Sequence, residues 1–216
     1  MNLRSIFLAF GLALPAFSAW PSTFDNQFQI ARDAFRAGDR PRLERAAAQL
    51  SSHELLPWVE YYRLRMQLET SDSETIQAFL QRHERSYVAE KLRGDWIRVL
   101  AKNKRWSEIG GEYGRLLTPE QDTQCIDLQA RLQMGDKGAL DEVMTLWTTL
   151  LEPPESCQNV MEALIWEKRV QADHVWARIR RQFEANRLQW ARQTMAYLPD
   201  SQTPDAKQLA AIAERA

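Results

Sequence analysis

Glycine, proline and histidine are scarce in this chain, with 8, 9 and 3 residues of each among 216. So little glycine and proline excludes a collagen-like or low-complexity chain. Neither sign of charge dominates, because 28 Lys and Arg residues stand against 29 Asp and Glu residues, for a formal net charge of -1. We therefore expect no nucleic-acid partner, which would require a basic surface. A hydrophobic content of 44% excludes intrinsic disorder and indicates one or two globular domains.

Long uncharged hydrophobic runs are also absent, apart from a short one near the N-terminus. Arg4 precedes an apolar stretch at residues 6–14, and small residues suited to a cleavage site follow at 16–18. The apolar stretch is much shorter than the ~20 residues that a membrane-spanning helix needs. We predict a signal peptide at residues 1–19, in preference to a buried N-terminal helix. Residues 20–216 would then form an exported domain with no membrane span.

The sequence has only two cysteines, Cys125 and Cys157. They lack the CxxC spacing of a redox pair, and His174 is the only histidine in that half of the chain, too few for a structural zinc site. In the oxidising compartment that export implies, a disulfide is favoured over two free thiols. Such a disulfide would close a loop of about thirty residues and stabilise the fold by roughly 3 kcal/mol.

Most of the chain has the apolar spacing of helices. From Phe24 onward, apolar residues recur three and four positions apart, and alternating strand patterns are absent. Short breaks separate the apolar stripes, and a Gly or Asn there suits the left-handed cap of a helix. The breaks follow one another by 33, 32, 32 and 34 residues, at Gly38, Ser71, Asn103, Gly135 and Arg169.

This period predicts the fold class. A repeat near 34 residues is typical of the two-helix unit of tetratricopeptide proteins, in which neighbouring hairpins stack to bury their apolar faces. We predict an all-α, TPR-like α-solenoid, a superhelical array of stacked helical hairpins with about ten helices. Asn186 would add one further hairpin turn near the C-terminus.

Motifs for catalysis or cofactor binding are not found. Neither His53-Glu54 nor His83-Glu84 has the second histidine, four residues on, that a zinc-protease helix requires. A phosphate loop, a dinucleotide fingerprint and a nucleophile elbow are also missing. We therefore expect no metal and no cofactor. A hydrolase that uses some of the 29 acidic residues remains a third hypothesis beside the two given below.

Tryptophan, in contrast, is abundant, with 8 residues. Exposed indoles stack on sugar rings, whereas buried ones fill gaps between helices. Apolar neighbours at helical spacing favour the buried interpretation for seven of them: Trp58, Trp96, Trp106, Trp147, Trp166, Trp176 and Trp190. The arginines Arg178, Arg180 and Arg181 have two interpretations as well, contact with an anionic polymer or a solvated helix face, and the solvated face is favoured.

Four segments of the chain carry a resemblance to a known family. They are Phe35-Arg36-Ala37-Gly38-Asp39, Leu56-Pro57-Trp58-Val59-Glu60-Tyr61-Tyr62-Arg63-Leu64, the stretch 79–106 with Leu92-Arg93-Gly94-Asp95-Trp96-Ile97 and Arg105-Trp106, and the pair Cys125 and Cys157. In their order and spacing they resemble the N-terminal superhelical region, often called the U-domain, of the soluble lytic murein transglycosylases. The resemblance covers residues 20–216.

The resemblance implies a U-shaped solenoid in a periplasmic protein of peptidoglycan turnover. That family cleaves the glycosidic bond after N-acetylmuramic acid with a glutamate of a C-terminal lysozyme-like domain, whose motif is Glu-Ser followed downstream by Gly-Leu-Met-Gln. The one Glu-Ser pair here, Glu155-Ser156, precedes Cys157 and has no Gly-Leu-Met-Gln after it. We therefore expect neither a catalytic residue nor the catalytic domain in this chain, and whether it is itself an enzyme stays open.

Two functions are compatible with these features. In the first, the chain is the non-catalytic superhelical region of a periplasmic lytic murein transglycosylase, and its partners are peptidoglycan glycan strands and a C-terminal catalytic domain. In the second, it is a free-standing periplasmic TPR-like scaffold that binds a protein partner. In both, the candidate glycan or partner contacts are Trp58, Tyr61, Arg178 and Arg181.

Overall fold

A computed structural model describes residues 23–204 of the chain, with side chains from Asp25 onward. The predicted signal peptide at 1–19 lies outside the described residues. Within the described range the chain is helical and has no β-strand, which confirms the predicted all-α class. The α-helices are α1 Thr23–Arg36, α2 Arg40–Ala47, α3 Leu56–Met66, α4 Ser73–Arg82, α5 Tyr87–Lys102, α6 Trp106–Tyr113, α7 Gln121–Gln133, α8 Ala139–Thr149, α9 Gln158–Trp166, α10 Ala172–Glu184 and α11 Leu188–Met195. Short 3₁₀ turns lie at Glu155–Cys157 and Asp200–Gln202.

None of the helices in residues 23–204 combines the length and the apolarity that crossing a bilayer requires.

The chain forms two compact units, of which the first ends at Arg63. Its described part contains the α1–α2 hairpin, which buries Ala31, Ala34 and Leu43 completely. Gly38 turns the chain between the two helices with a φ of +70°. Asp39 then begins α2, because its Oδ1 accepts a hydrogen bond from the Arg42 amide at 3.0 Å. The Gly-Asp pair therefore ends one helix and starts the next.

The second unit begins at Leu64 and stacks its helices in sequence order. Each helix packs on a neighbour in the chain and several also pack on the helix after that: α5 contacts α6 and α7, α7 contacts α8 and α9, and α8 contacts α10. Such packing is characteristic of stacked hairpins, in which no single hairpin buries its apolar faces alone. The predicted helical-hairpin arrangement is confirmed.

Five turns end the preceding helix with the same backbone geometry. A residue with positive φ donates its N–H to the carbonyl three positions earlier, and the next residue donates to the carbonyl five positions earlier, which is the Schellman arrangement. The residues with positive φ are Gly38, Lys104, Gly135, Lys168 and Asn186. The predicted turns at Gly38, Gly135 and Asn186 are confirmed, and Lys104 and Lys168 lie next to the predicted Asn103 and Arg169.

Two turns differ from the sequence prediction. At Ser71 no left-handed residue is needed, because Asp72 starts α4 directly, accepting a hydrogen bond from the Thr75 amide at 2.7 Å. Between α4 and α5, Arg85 has a φ of +62°, and no Gly or Asn marks that turn in the sequence. At this turn, an arginine therefore adopts the left-handed conformation that residues other than Gly, Asn and Asp rarely adopt.

Candidate functional site

A cleft of about 450 Å³ lies in the second unit, between the end of α8, the segment 153–158, α10 and α11. Its aromatic wall consists of Trp147, Trp190 and Tyr197, and further apolar surface comes from Pro153, Pro154 and Met161. Polar groups come from Glu155, Gln158, Arg178, Gln193 and Thr194. Apolar walls with a few convergent polar groups are typical of ligand sites.

One wall of the cleft is the segment that follows α8. Pro153 and Pro154 keep the chain extended, because proline cannot continue a helix. The chain then enters the 3₁₀ turn Glu155–Cys157, and Cys157 forms a disulfide with Cys125 of α7, with their Cα atoms 4.9 Å apart. Both cysteines are fully buried. The disulfide that the sequence favours is therefore present and attaches this wall to the body of the unit.

The opposite wall is one face of α11 and the turn after it. Trp190, Gln193, Thr194 and Tyr197 follow one another at helical positions i, i+3, i+4 and i+7, so they share one side of the helix. Thr194 is buried, whereas Trp190 is half-buried and Tyr197 is 37% exposed. The sequence predicts packing for Trp190 from its apolar neighbours at helical spacing, and that pattern does not indicate a cleft.

Arg178 forms the floor between these walls. It is only 5% exposed, its Nη1 donates a hydrogen bond to the Trp147 carbonyl, and its guanidinium lies 4.8 Å from the centroid of the Trp147 ring. Burial lowers the pKa of Arg178 to about 10, and the neighbouring Arg181 acts in the same direction. The group therefore remains charged at neutral pH.

Neighbouring contacts hold this floor in place. Gln182, one turn further along α10, donates from its Nε2 to the Leu151 carbonyl at 2.9 Å. The Tyr197 ring meets the Trp147 ring at a centroid distance of 5.7 Å and an interplanar angle of 67°. Burial raises the pKa of Tyr197, with a smaller contribution from Glu162, so the phenol stays neutral. The cleft can accordingly hold a ligand with a flat apolar face and a polar or anionic edge.

The four predicted contact residues divide between the two units. Trp58 and Tyr61 lie in the first, in an aromatic cluster in which their rings meet edge to face at 5.8 Å, and Tyr61 is only 6% exposed. Arg178 and Arg181 lie in the second, where Arg181 is exposed. The solvated helix face predicted for the arginines is wrong for Arg178, because α10 directs that side chain inward against Trp147.

The prediction that the tryptophans fill the core is confirmed for Trp96 and Trp147, which are 2% and 1% exposed. It is wrong for Trp166, which is 86% exposed at the last residue of α9. Apolar neighbours in sequence do not reveal this, because burial depends on which helix covers that face. The remaining four are half-buried: Trp58, Trp106, Trp176 and Trp190.

Other ionisable groups are buried in the second unit outside the cleft. Arg93 donates to Glu112, and Gln77 Nε2 donates to the same carboxylate at 2.7 Å. Both charged residues are buried, so they form a neutralised pair inside the fold. Asp127 is also buried; its pKa is raised by burial and, less strongly, by Glu142.

No group of three or more His, Cys, Asp and Glu side chains that could hold a metal ion exists within residues 23–204.

Comparisons with known proteins support the predicted helical fold. No protein-family model and no curated protein matches the sequence. The structure, in contrast, is similar to solved structures of lytic transglycosylases. The 70-kDa soluble lytic transglycosylase in complex with bulgecin A matches at a TM-score of 0.66 and 16% identity, over 88% of this chain and 30% of that one. The 70-kDa soluble lytic transglycosylase Slt70 of Escherichia coli gives 0.66 and 18%, over 89% and 31%.

The third structure is an inactive mutant of the lytic transglycosylase Slt from Pseudomonas aeruginosa, with a TM-score of 0.67 and 20% identity over 87% of this chain and 30% of that one. The chain thus spans less than a third of the length of each of these proteins. Over that length, it has the helical fold found in the soluble lytic transglycosylases.

Proposed function

We propose that this chain is a helical region that holds peptidoglycan glycan strands in the periplasm, alongside the catalytic domain of a lytic transglycosylase. The cleft between α8 and α11 is the observation that carries the proposal. Sugars offer flat, weakly polar faces and hydroxyl and amide edges, and the cleft offers aromatic rings beside amide, carboxylate and guanidinium groups. The shared fold with lytic transglycosylases supports peptidoglycan as the source of the sugar.

Within the cleft, the residues have separate roles. Trp190 and Tyr197 would lie against the sugar faces, and Gln158 and Gln193 would hydrogen bond to hydroxyl and acetamido groups at the edges. Both glutamines are exposed, so they reach a ligand without a large change of conformation.

The proposed role is binding without cleavage. The family that the chain resembles cleaves with a single glutamate, which belongs to a Glu-Ser pair followed downstream by Gly-Leu-Met-Gln. Among the described residues that line the cleft, Glu155 supplies one carboxylate, and its Glu-Ser pair has no such motif after it. The missing motif supports a chain that positions the substrate for a catalytic glutamate located elsewhere.

Co-sedimentation with purified peptidoglycan sacculi tests the proposal. We expect the purified chain to sediment with sacculi and to release no anhydromuropeptides from them. Trp190→Ala should weaken retention about five- to tenfold, since stacking of one ring contributes roughly 1 to 1.4 kcal/mol. Trp166→Ala is the matched control, because it removes an indole outside the cleft. Failure of the unaltered chain to sediment with sacculi would refute the proposed function, and release of anhydromuropeptides would refute its non-catalytic character.

A periplasmic scaffold for a protein partner is the second candidate function. The 86% exposure of Trp166 favours it, because large exposed aromatic side chains are enriched at protein interfaces. The same pair of variants distinguishes the two functions. If Trp166→Ala abolishes retention of a periplasmic protein while the chain never sediments with sacculi, the scaffold is supported and glycan binding is excluded.

A further inference from the structure

The cleft contains a buried positive charge that forms no ion pair with an acidic side chain in residues 25–204. Two arginines in the second unit are buried to about the same extent, Arg93 and Arg178, each 5% exposed. Arg93 is neutralised by Glu112. No carboxylate among the described residues forms an ion pair with Arg178, although Glu155 lines the same cleft. A buried charge without a counterion is unfavourable unless something neutralises it.

The surroundings of Arg178 fix its guanidinium in one orientation. One N–H group is used by the Trp147 carbonyl, and the planar group lies over the Trp147 ring. A guanidinium has five N–H donors, so most of them remain available to a ligand. Trp147 Nε1 is a further buried donor that has no acceptor among the described residues. A rigid fork of donors beside an aromatic wall is suited to a carboxylate.

We propose that the cleft is a carboxylate-binding subsite, in which Arg178 binds a carboxylate of an N-acetylmuramyl unit while the sugar ring lies against Trp190 and Tyr197. This inference rests on the proposed function and names the part of the glycan strand that is recognised. The carboxylate comes either from a free lactyl group or from the amino acid attached to it. In both cases N-acetylglucosamine, which has the same ring and no carboxylate, is discriminated against.

The polar groups of the cleft divide accordingly. Arg178 lies deep, at the floor, and binds the anionic substituent. Gln158 and Glu155 on the proline wall and Gln193 on α11 are exposed, so they reach the uncharged edges of the sugar. Glu155 is exposed and forms no ion pair with Arg178.

The first experiment varies the ligand and leaves the protein unchanged. Tryptophan fluorescence titration and calorimetry would compare N-acetylmuramic acid and N-acetylmuramyl-L-alanine, each with its own methyl ester, and N-acetylglucosamine. We expect at least one of the two acids to bind about tenfold or more tightly than its ester and than N-acetylglucosamine, because only an acid presents a charge to Arg178. The acid with the larger preference over its ester identifies the source of the carboxylate, the free lactyl group or the attached amino acid.

The second experiment varies the protein. Arg178→Gln should remove the preference for the acid over its ester, whereas Arg178→Lys should retain part of it. Arg192→Gln is the matched control, since it removes the same charge from an exposed position on α11 that does not line the cleft. Thermal unfolding of each variant verifies that it folds. Trp190→Leu, which leaves Arg178 in place, should weaken the acid and the ester by the same factor.

Equal binding of both acids, their esters and N-acetylglucosamine would overturn the inference, and so would a preference that survives Arg178→Gln in a folded variant. The proposed function fails separately, on the sacculus assay. If sacculi are retained and neither acid is preferred over its ester, the subsite is wrong and glycan holding stands. If one of the acids is preferred and sacculi are not retained, the carboxylate site stands and glycan holding is wrong.

Discussion

Removal of the Cys125–Cys157 disulfide is the perturbation whose magnitude follows most directly from the structure. The bond joins α7 to the 3₁₀ turn before α9 across a sequence separation of 32 residues. In the unfolded chain, a cross-link of that span removes loop entropy equivalent to roughly 3.5 to 4 kcal/mol at 25 °C. For a chain of this size, that free energy corresponds to a decrease in Tm of roughly 7 to 15 °C. We expect a decrease in this range for Cys125→Ala/Cys157→Ala.

The two single variants separate the cross-link from simple loss of volume. Either Cys125→Ala or Cys157→Ala already removes the whole cross-link, so the second substitution should add only the small cost of a buried sulfur atom. The losses in free energy of unfolding of the two single variants should therefore sum to much more than the loss of the double variant. Circular dichroism during thermal and urea unfolding measures all three. Additive single effects, together with two free thiols in the unreduced, denatured protein, would contradict the reasoning.

The location of the disulfide also predicts which segment loses local stability when the disulfide is removed. Cys157 lies beside Pro153, Pro154 and Glu155 in the wall of the cleft. Hydrogen exchange in the double variant should increase first in residues 151–158. Equal protection of that segment with and without the disulfide would show that packing alone holds the wall.

Three further predictions concern the helical stack. Lys104, with a φ of +57°, and Gly135, with a φ of +91°, occupy equivalent left-handed positions at helix ends. In urea unfolding, Lys104→Gly should therefore stabilise the protein by about 1 kcal/mol, and Gly135→Ala should destabilise it by about 1 to 2 kcal/mol. Glu112→Gln leaves the buried Arg93 charge unpaired and should cost roughly 3 to 5 kcal/mol, whereas replacing both residues by Leu or Met should cost less. Burial raises the pKa of Asp127 above its ordinary 3.8, so the charged carboxylate is less favourable in the folded chain than in the unfolded chain. The stability of the folded state therefore decreases as pH rises above that value. Asp127→Asn should therefore gain stability over the unaltered protein between pH 4 and pH 7, and no gain over that interval in thermal unfolding would refute the assignment.

The repeat was readable from the sequence because its determinants are local. Gly38 and Gly135 end helices through bonds to carbonyls only three and five residues earlier, and Asp39 caps the next helix within three residues. The sequence predicts the third turn correctly but locates its left-handed residue at Asn103, whereas the structure has it at Lys104. Neighbouring residues at a helix end differ little in their suitability, and the exact left-handed position depends on how the next helix packs.

The cleft depends on contacts that no local pattern encodes. Arg178 bonds to a carbonyl 31 residues earlier, and Gln182 does the same at Leu151. In the sequence, Arg178 belongs to a run of surface-type charges, and Trp190 belongs to an ordinary apolar stripe. Which of them faces solvent, core or cleft is decided by the neighbouring hairpin.

The sequence by itself therefore determined the helices, their period and the pairing of the only two cysteines, because these follow from residue spacing and from short-range backbone geometry. Only the tertiary structure decided that Arg178 is buried and without a counterion among the described residues, that Trp166 is exposed and that Trp190 and Tyr197 share a cleft. The physical reason is that burial is a property of packed surfaces. Two helices about one repeat apart in the sequence pack their side chains together, and no local pattern in the residues between them indicates that contact.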